Sequence, residues 1–93
     1  MNELWAVVMW DAELETWDRN VFLHKDDAIK GMVNWMIDQF TTWGLSYTTR
    51  LNDELELELV NDDAKVLGVV RRNTATLDVG SRKNIEWYMF RVN

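Results

Sequence analysis

The stretch from Asp26 to Trp43, DDAIKGMVNWMIDQFTTW, restricts the fold more than any other. At about 100° per residue, Ile29, Met32, Val33, Met36, Phe40 and Trp43 fall in one arc, with Ile37 on one flank and Ala28 and Trp35 on the other. Asp27, Lys30, Asn34, Asp38 and Thr41 occupy the opposite side. The spacing predicts an amphipathic helix of about five turns whose apolar face needs a sheet to cover it. Asp26 and Asp27 complement the positive end of its dipole, and Asp26 is a better capping residue type than His24. Gly44 suits the left-handed position that stops a helix. Gly31, inside the helix, costs about 1 kcal/mol against Ala; it is either a tolerated defect or the mark of a close backbone approach.

Segments with the character of strands flank the helix. Leu4 to Trp10, LWAVVMW, is a continuous apolar run that reads as a strand buried on both faces, or nearly so. The acidic DAELETWD connects it to a return strand at about Trp17 to Leu23. Beyond Gly44, strand signals lie at Ser46–Leu51, Glu54–Val60, Lys65–Arg72 (with a bulge candidate at Gly68), Thr74–Val79 and Ile85–Val92. Asn52-Asp53 and Asn61-Asp62-Asp63 are turns. In ELELELV, the clearest alternation in the chain, Leu55, Leu57 and Leu59 are expected inward and Glu54, Glu56 and Glu58 outward. The expectation is one α+β domain over residues 1–93, an antiparallel sheet of about five or six strands packed on one long helix in the order β-β-α-β-β-β-β.

Composition narrows the class. A hydrophobic fraction of 47% argues against disorder, and no apolar run reaches the length of a membrane span. The N-terminus shows no secretory signal pattern, and the absence of cysteine removes disulfides and thiolate metal sites, so a cytoplasmic location is expected. Six Trp in 93 residues exceed what one small core needs, which points to surface aromatics among Trp10, Trp17 and Trp35.

Charge is unevenly placed. Residues 1–63 carry 14 acids against 4 bases, and residues 64–93 carry 2 acids against 6 bases, within a net charge of −6. Three readings fit: an acidic surface for a basic partner, one copy's acidic side against another's basic side, or simple solvation of opposite faces.

No catalytic set stands out. His24 is the single histidine, beside a helix start; the glycines form no phosphate-cradling loop, and no Ser-His-acid arrangement appears. Alternate carboxylates on a strand lie about 6.8 Å apart, too far for neighbouring pairs to chelate a cation tightly without other ligands. A net charge of −6 repels phosphate, so direct nucleic-acid binding is not expected, nor is any cofactor. The same carboxylates, Glu54, Glu56 and Glu58 with Asp53, Asp62 and Asp63 at the ends, would present negative charge in the manner of a nucleic-acid backbone to a basic groove.

The hairpin around DAELETWD, the helix DDAIKGMVNWMIDQF and the acidic ELELELVNDD resemble, in style over the whole chain, the small acidic proteins that bacteriophages and prophages encode against host defences, anti-CRISPR proteins among them. That resemblance implies a non-enzymatic inhibitor that binds a nucleic-acid-processing defence protein, such as a CRISPR effector nuclease. Members of the group cover a nuclease's nucleic-acid groove, dimerise it or sequester a nucleotide signal. The basic last third departs from a uniformly acidic mimic. The alternative is a self-assembling or nucleotide-ligand-binding module in which Trp5, Trp10, Trp17, Trp35 and Trp87 line an interface or pocket, so a homo-oligomer is open as well.

Overall fold

Short hairpins and one helical crossover convert the strand segments into a single layer. The computed structural model describes residues 3–93. In chain order the elements are β1 (Trp5–Asp11), β2 (Thr16–Phe22), α1 (Lys25–Thr42), β3 (Thr48–Leu51), β4 (Leu57–Val60), β5 (Val66–Val70), β6 (Thr74–Leu77) and β7 (Ile85–Arg91). The strands make one antiparallel sheet in the order β2-β1-β7-β6-β5-β4-β3. The α+β class agrees with expectation, but the sheet has seven strands rather than five or six. The count rises because every segment finds a partner: β7 returns to pair with β1 over seven residues and joins the first hairpin to the later meander.

The helix leaves β2 at one edge of the sheet and ends before β3 at the other. Near its start Gly31 lies under the ring of Phe22, just at the end of β2; further on Met36 and Phe40 pass over Gly68 of β5, and Phe40 meets Tyr47 edge-on at 5.1 Å between centroids. Its buried line is Ala28, Met32, Met36 and Phe40, packed on Val7, Leu59, Leu67, Ala75, Leu77, Ile85, Trp87 and Met89. Ala28, expected on the flank, lies at the centre of the contact, while Ile29 and Val33 are only half-buried. The structure therefore turns the helix slightly from the face the spacing predicts.

Both helix ends have a physical explanation. His24 is the N-cap but makes no side-chain capping bond, leaving the acidic first turn of Asp26 and Asp27 to complement the dipole. At the C-terminus the Leu45 N–H donates to the Phe40 carbonyl and the Gly44 N–H to that of Thr41, with Gly44 at φ 67°, a Schellman stop. Gly31 is neither a tolerated defect nor a backbone contact: a Cβ built there would lie 2.3 Å from Phe22 Cζ. Gly68 similarly lets the helix approach, and the register shift between Leu59 and Val60 lies beside it, as the bulge reading anticipated.

The sheet is covered on one face only. Its overall extents of 47 × 32 × 19 Å give a thickness suited to one sheet and one helix layer. Among the described residues no element lies over the second face of β1 (Ala6, Val8, Trp10), yet Ala6 is buried and Val8 and Trp10 are half-buried between β2 and β7, so the strand is nearly buried on both faces, as expected.

Two substitutions test this packing. Met36→Ala and Phe40→Ala should each cost about 2–5 kcal/mol in urea unfolding, because both side chains are fully buried. Gly31→Ala should lower the melting temperature despite its better helix propensity, since the added methyl must displace Phe22. A rise in melting temperature would refute the Phe22 contact.

Candidate interaction surface

The acidic segment folds differently from its alternation. Asn52 pulls Asp53, Glu54 and Leu55 into a hairpin loop: its Oδ1 accepts the N–H groups of Glu54 and Glu56, its backbone N–H donates to the Glu56 carbonyl, and its carbonyl accepts the Leu55 N–H. Asn61 builds the same turn with Asp62, Asp63 and Ala64. Strand β4 therefore begins at Leu57, two residues after Leu55, which is 80% exposed instead of in the core. Leu57 and Leu59 do face the helix and Glu58 points to the other side, while Glu56 precedes the strand at the margin of the helix-side groove.

The carboxylates of Glu56 and Glu58 are matched by cations. Arg50 Nε donates to Glu58 Oε1 at 2.7 Å across β3–β4, and Arg71 Nε lies 3.1 Å from Glu56 Oε2. Asn52 Nδ2 also donates to Glu56 and Glu58. The Arg50 hydrogen bond, followed by that of Asn52, holds the Glu58 carboxyl below its ordinary value. Asp53 and Glu54 sit at one end of β4 and Asp62 and Asp63 at the other, roughly 20 Å apart, all exposed. The six acids thus form two separated tips and a neutralised middle, not one unbroken row.

A different surface comes from pairing. On the helix-free face, successive rows across β2, β1 and β7 read Trp17–Trp10–Glu86, Arg19–Val8–Tyr88 and Val21–Ala6–Phe90. Trp10 and Trp17 have ring centroids 5.0 Å apart, and Tyr88 lies 6.3 Å from Trp17. The Tyr88 hydroxyl donates to Glu86, which raises its pKa and anchors the rim of the patch. Trp17 is 62% exposed, and Val21, Tyr88 and Phe90 are exposed with it. The first row continues through Thr76, Val69, Glu58 and Arg50, so the face is aromatic on one half and polar on the other.

The candidate tryptophans part company here. Trp10 and Trp17 share the open face, whereas Trp35 packs against the core from the helix side. Trp87 is fully buried in the core and its Nε1 has no hydrogen-bond partner among the described residues, and Trp5 packs on the helix side with its Nε1 bonded to Glu3. The alternation of β7 carried the signal for Tyr88 and Phe90, which become site residues only once β7 lies beside β1.

Another opening lies on the helix side. Helix α1 leaves a corner of the sheet bare, forming a groove of about 510 Å³ among Ile29, Val33, Leu51, Leu57 and Val70, with Leu55 at its lip. Among the described residues, no group of three or more His, Cys, Asp or Glu is arranged to hold a metal ion, and no helix is long and apolar enough to cross a membrane. No family model matches the chain, and no curated protein or solved structure matches it significantly.

Two measurements check the hairpins. Leu55 and Ala64 adopt φ of 61°, a left-handed conformation that costs a side chain about 1–2 kcal/mol. Ala64→Gly should therefore raise stability by about 1 kcal/mol in urea unfolding, and a loss of stability would contradict the strain. The Glu58–Arg50 pair adds stability that is complete above about pH 4.3, the ordinary value for an unfolded Glu, and is lost as pH falls through the lowered folded value. Glu58→Gln should remove that part of the acid slope in a plot of melting temperature against pH; an unchanged slope would show the pair to be energetically silent.

Proposed function

We propose that this chain is a non-enzymatic, cytoplasmic binding protein that inhibits a bacterial nucleic-acid-processing defence protein by occupying part of its surface. The aromatic half of the helix-free face supplies most of the binding energy. One observation carries the reading: Trp10, Trp17, Val21, Tyr88 and Phe90 gather beside Val8 and Ala6 on a face that no element of the described residues covers. Folding gains little from an exposed indole, whereas Trp and Tyr are the side chains that dominate protein interfaces.

The acidic residues take a lesser part. Glu56 and Glu58 are already paired with Arg71 and Arg50, so presenting them to a basic groove would first break those contacts. Asp53, Glu54, Asp62 and Asp63 remain as charged tips that steer a basic partner toward the surface. Pure mimicry of a nucleic-acid backbone has correspondingly less support. The target class follows the resemblance to small phage-encoded anti-defence proteins, and the surface supports binding as the mode of action.

Affinity capture from a bacterial lysate, followed by titration of the captured partner, tests the assignment. Trp17→Ala and Tyr88→Ala should each weaken binding at least tenfold, about 1.4 kcal/mol. Charge reversal at Asp53 and Glu54 should act mainly on the association rate and its salt dependence. The opposite pattern, with aromatic variants binding normally and charge reversal abolishing the complex, would replace this reading with the acidic one.

A further inference from the structure

Among the described residues, strand β2 pairs with β1 on one side and with nothing on the other. Its seven residues, TWDRNVF, contain no Pro and no Lys and match β1 residue for residue without a bulge. The opposite edge, β3, is only four residues long. Natural sheets protect exposed edges by shortness, Pro, bulges or charged side chains; β2 has no Pro, Lys or bulge, and its charges are one acid, Asp18, and one base, Arg19.

The hydrogen-bond phase identifies which groups are free. The Ala12 N–H donates to the Asn84 carbonyl and the Val92 N–H to that of Leu4, so even-numbered residues of β1 bond toward β7. By alternation, Trp5, Val7, Met9 and Asp11 bond toward β2, through their partners Phe22, Asn20, Asp18 and Thr16. The backbone groups of Trp17, Arg19 and Val21 consequently point away from the sheet. The Arg19 N–H agrees with this, since it donates to Asp18 Oδ1, a side chain, at 2.9 Å.

From this geometry we infer that β2 pairs antiparallel with β2 of a second copy, about a two-fold axis through Arg19. Six backbone hydrogen bonds then form among Trp17, Arg19 and Val21 of the two chains, the Arg19 N–H exchanging Asp18 Oδ1 for the carbonyl of the other copy's Arg19. On the open face Trp17 stands opposite Val21 of the second copy, an aromatic and β-branched pair of the kind that stabilises sheets. On the helix side Asp18 stands opposite Asn20, whose amide donates to the carboxylate. The two Arg19 side chains meet at the axis, a like-charge cost eased because both are exposed and each guanidinium lies diagonal to the other copy's Trp17 ring. A register shifted by two residues in either direction loses two of the six hydrogen bonds, and the one centred on Asp18 also places Asp18 against Asp18.

Such pairing has a consequence for the binding face. An axis perpendicular to the sheet keeps both helix-free faces on the same side. Since the aromatic half lies on β2, β1 and β7, the two patches abut and form one platform six strands wide. A partner with two-fold symmetry, or two adjacent sites, would engage both halves at once. Pairing through β2 stands independently of what that partner is.

Three forms of the whole chain test the edge: the native sequence, Arg19→Pro and Arg19→Cys. Proline at position 19 removes an outward N–H and leaves the ladder to β1 intact, as edge strands tolerate. Light scattering across a concentration series should show the native mass doubling, and Arg19→Pro should self-associate at least tenfold more weakly with an unchanged circular dichroism spectrum. Because the chain has no other cysteine, oxidised Arg19→Cys should form a covalent dimer far faster than a Ser81→Cys control. That cross-link decides the matter even if Arg19→Pro fails to fold. A native chain of single mass throughout, or cross-linking no faster than the control, would overturn the proposal. A folded Arg19→Pro that still dimerises would also overturn it, in favour of packing face to face. Arg19→Pro retains Trp10, Trp17 and Tyr88, so loss of the dimer with normal partner capture separates this proposal from the binding function.

Discussion

One helix has to cover a seven-stranded sheet, and it is too small to do so. Eighteen residues of α1 span about 27 Å and shield a strip about 10 Å wide, whereas seven strands extend about 29 Å in width. Running from the β2 edge to the β3 edge, the helix buries a diagonal of the sheet through Ala28, Met32, Met36 and Phe40. The other face is left without cover, and so is a corner on the helix side. Core, aromatic half-face and groove are three results of this shortage.

What fills the uncovered area differs by region, and the difference carries the functional argument. Over β6 to β3 the open face bears Thr74, Thr76, Val69 and the ion-paired Glu58 and Arg50, a mainly polar surface. Over β2, β1 and β7 it bears Trp10, Trp17, Val8, Val21, Tyr88 and Phe90, which water solvates poorly. The uneven charge along the chain is partly resolved by contact: Arg71 reaches Glu56, and Arg91 lies 4.0 Å from Glu3, so bases of the last third meet acids of the earlier part. Arg82 instead lies 4.6 Å from the centre of the Trp43 ring, a cation–π contact.

Much of the frame was legible in the sequence because it depends on local periodicity. The Met32–Met36–Phe40 face, the stop at Gly44 and the inward Leu57 and Leu59 follow from spacing alone. Leu55 was misread because alternation carries no information about where Asn52 bends the backbone, and the side-chain bonds of that asparagine override a pattern suited to a strand. Gly31 was opaque for another reason: its neighbour Phe22 arrives from a strand whose position depends on the whole topology. The aromatic patch was only half legible. Six Trp announced a surplus, but separating Trp10 and Trp17 from Trp35 and Trp87, and adding Tyr88 and Phe90, required the β1–β7 pairing across some eighty residues of chain.

Under the proposed function, the aromatic half-face is the surface that would meet a partner. Six tryptophans provide six indole N–H signals in a nitrogen–proton correlation spectrum, spread over core, helix side and open face. Titration with the captured partner should shift or broaden the indole signals of Trp10 and Trp17 and leave those of Trp35, Trp43 and Trp87 in place. Unmoved Trp10 and Trp17 signals, with changes confined to the backbone amides of Asp53, Glu54, Asp62 and Asp63, would contradict the account.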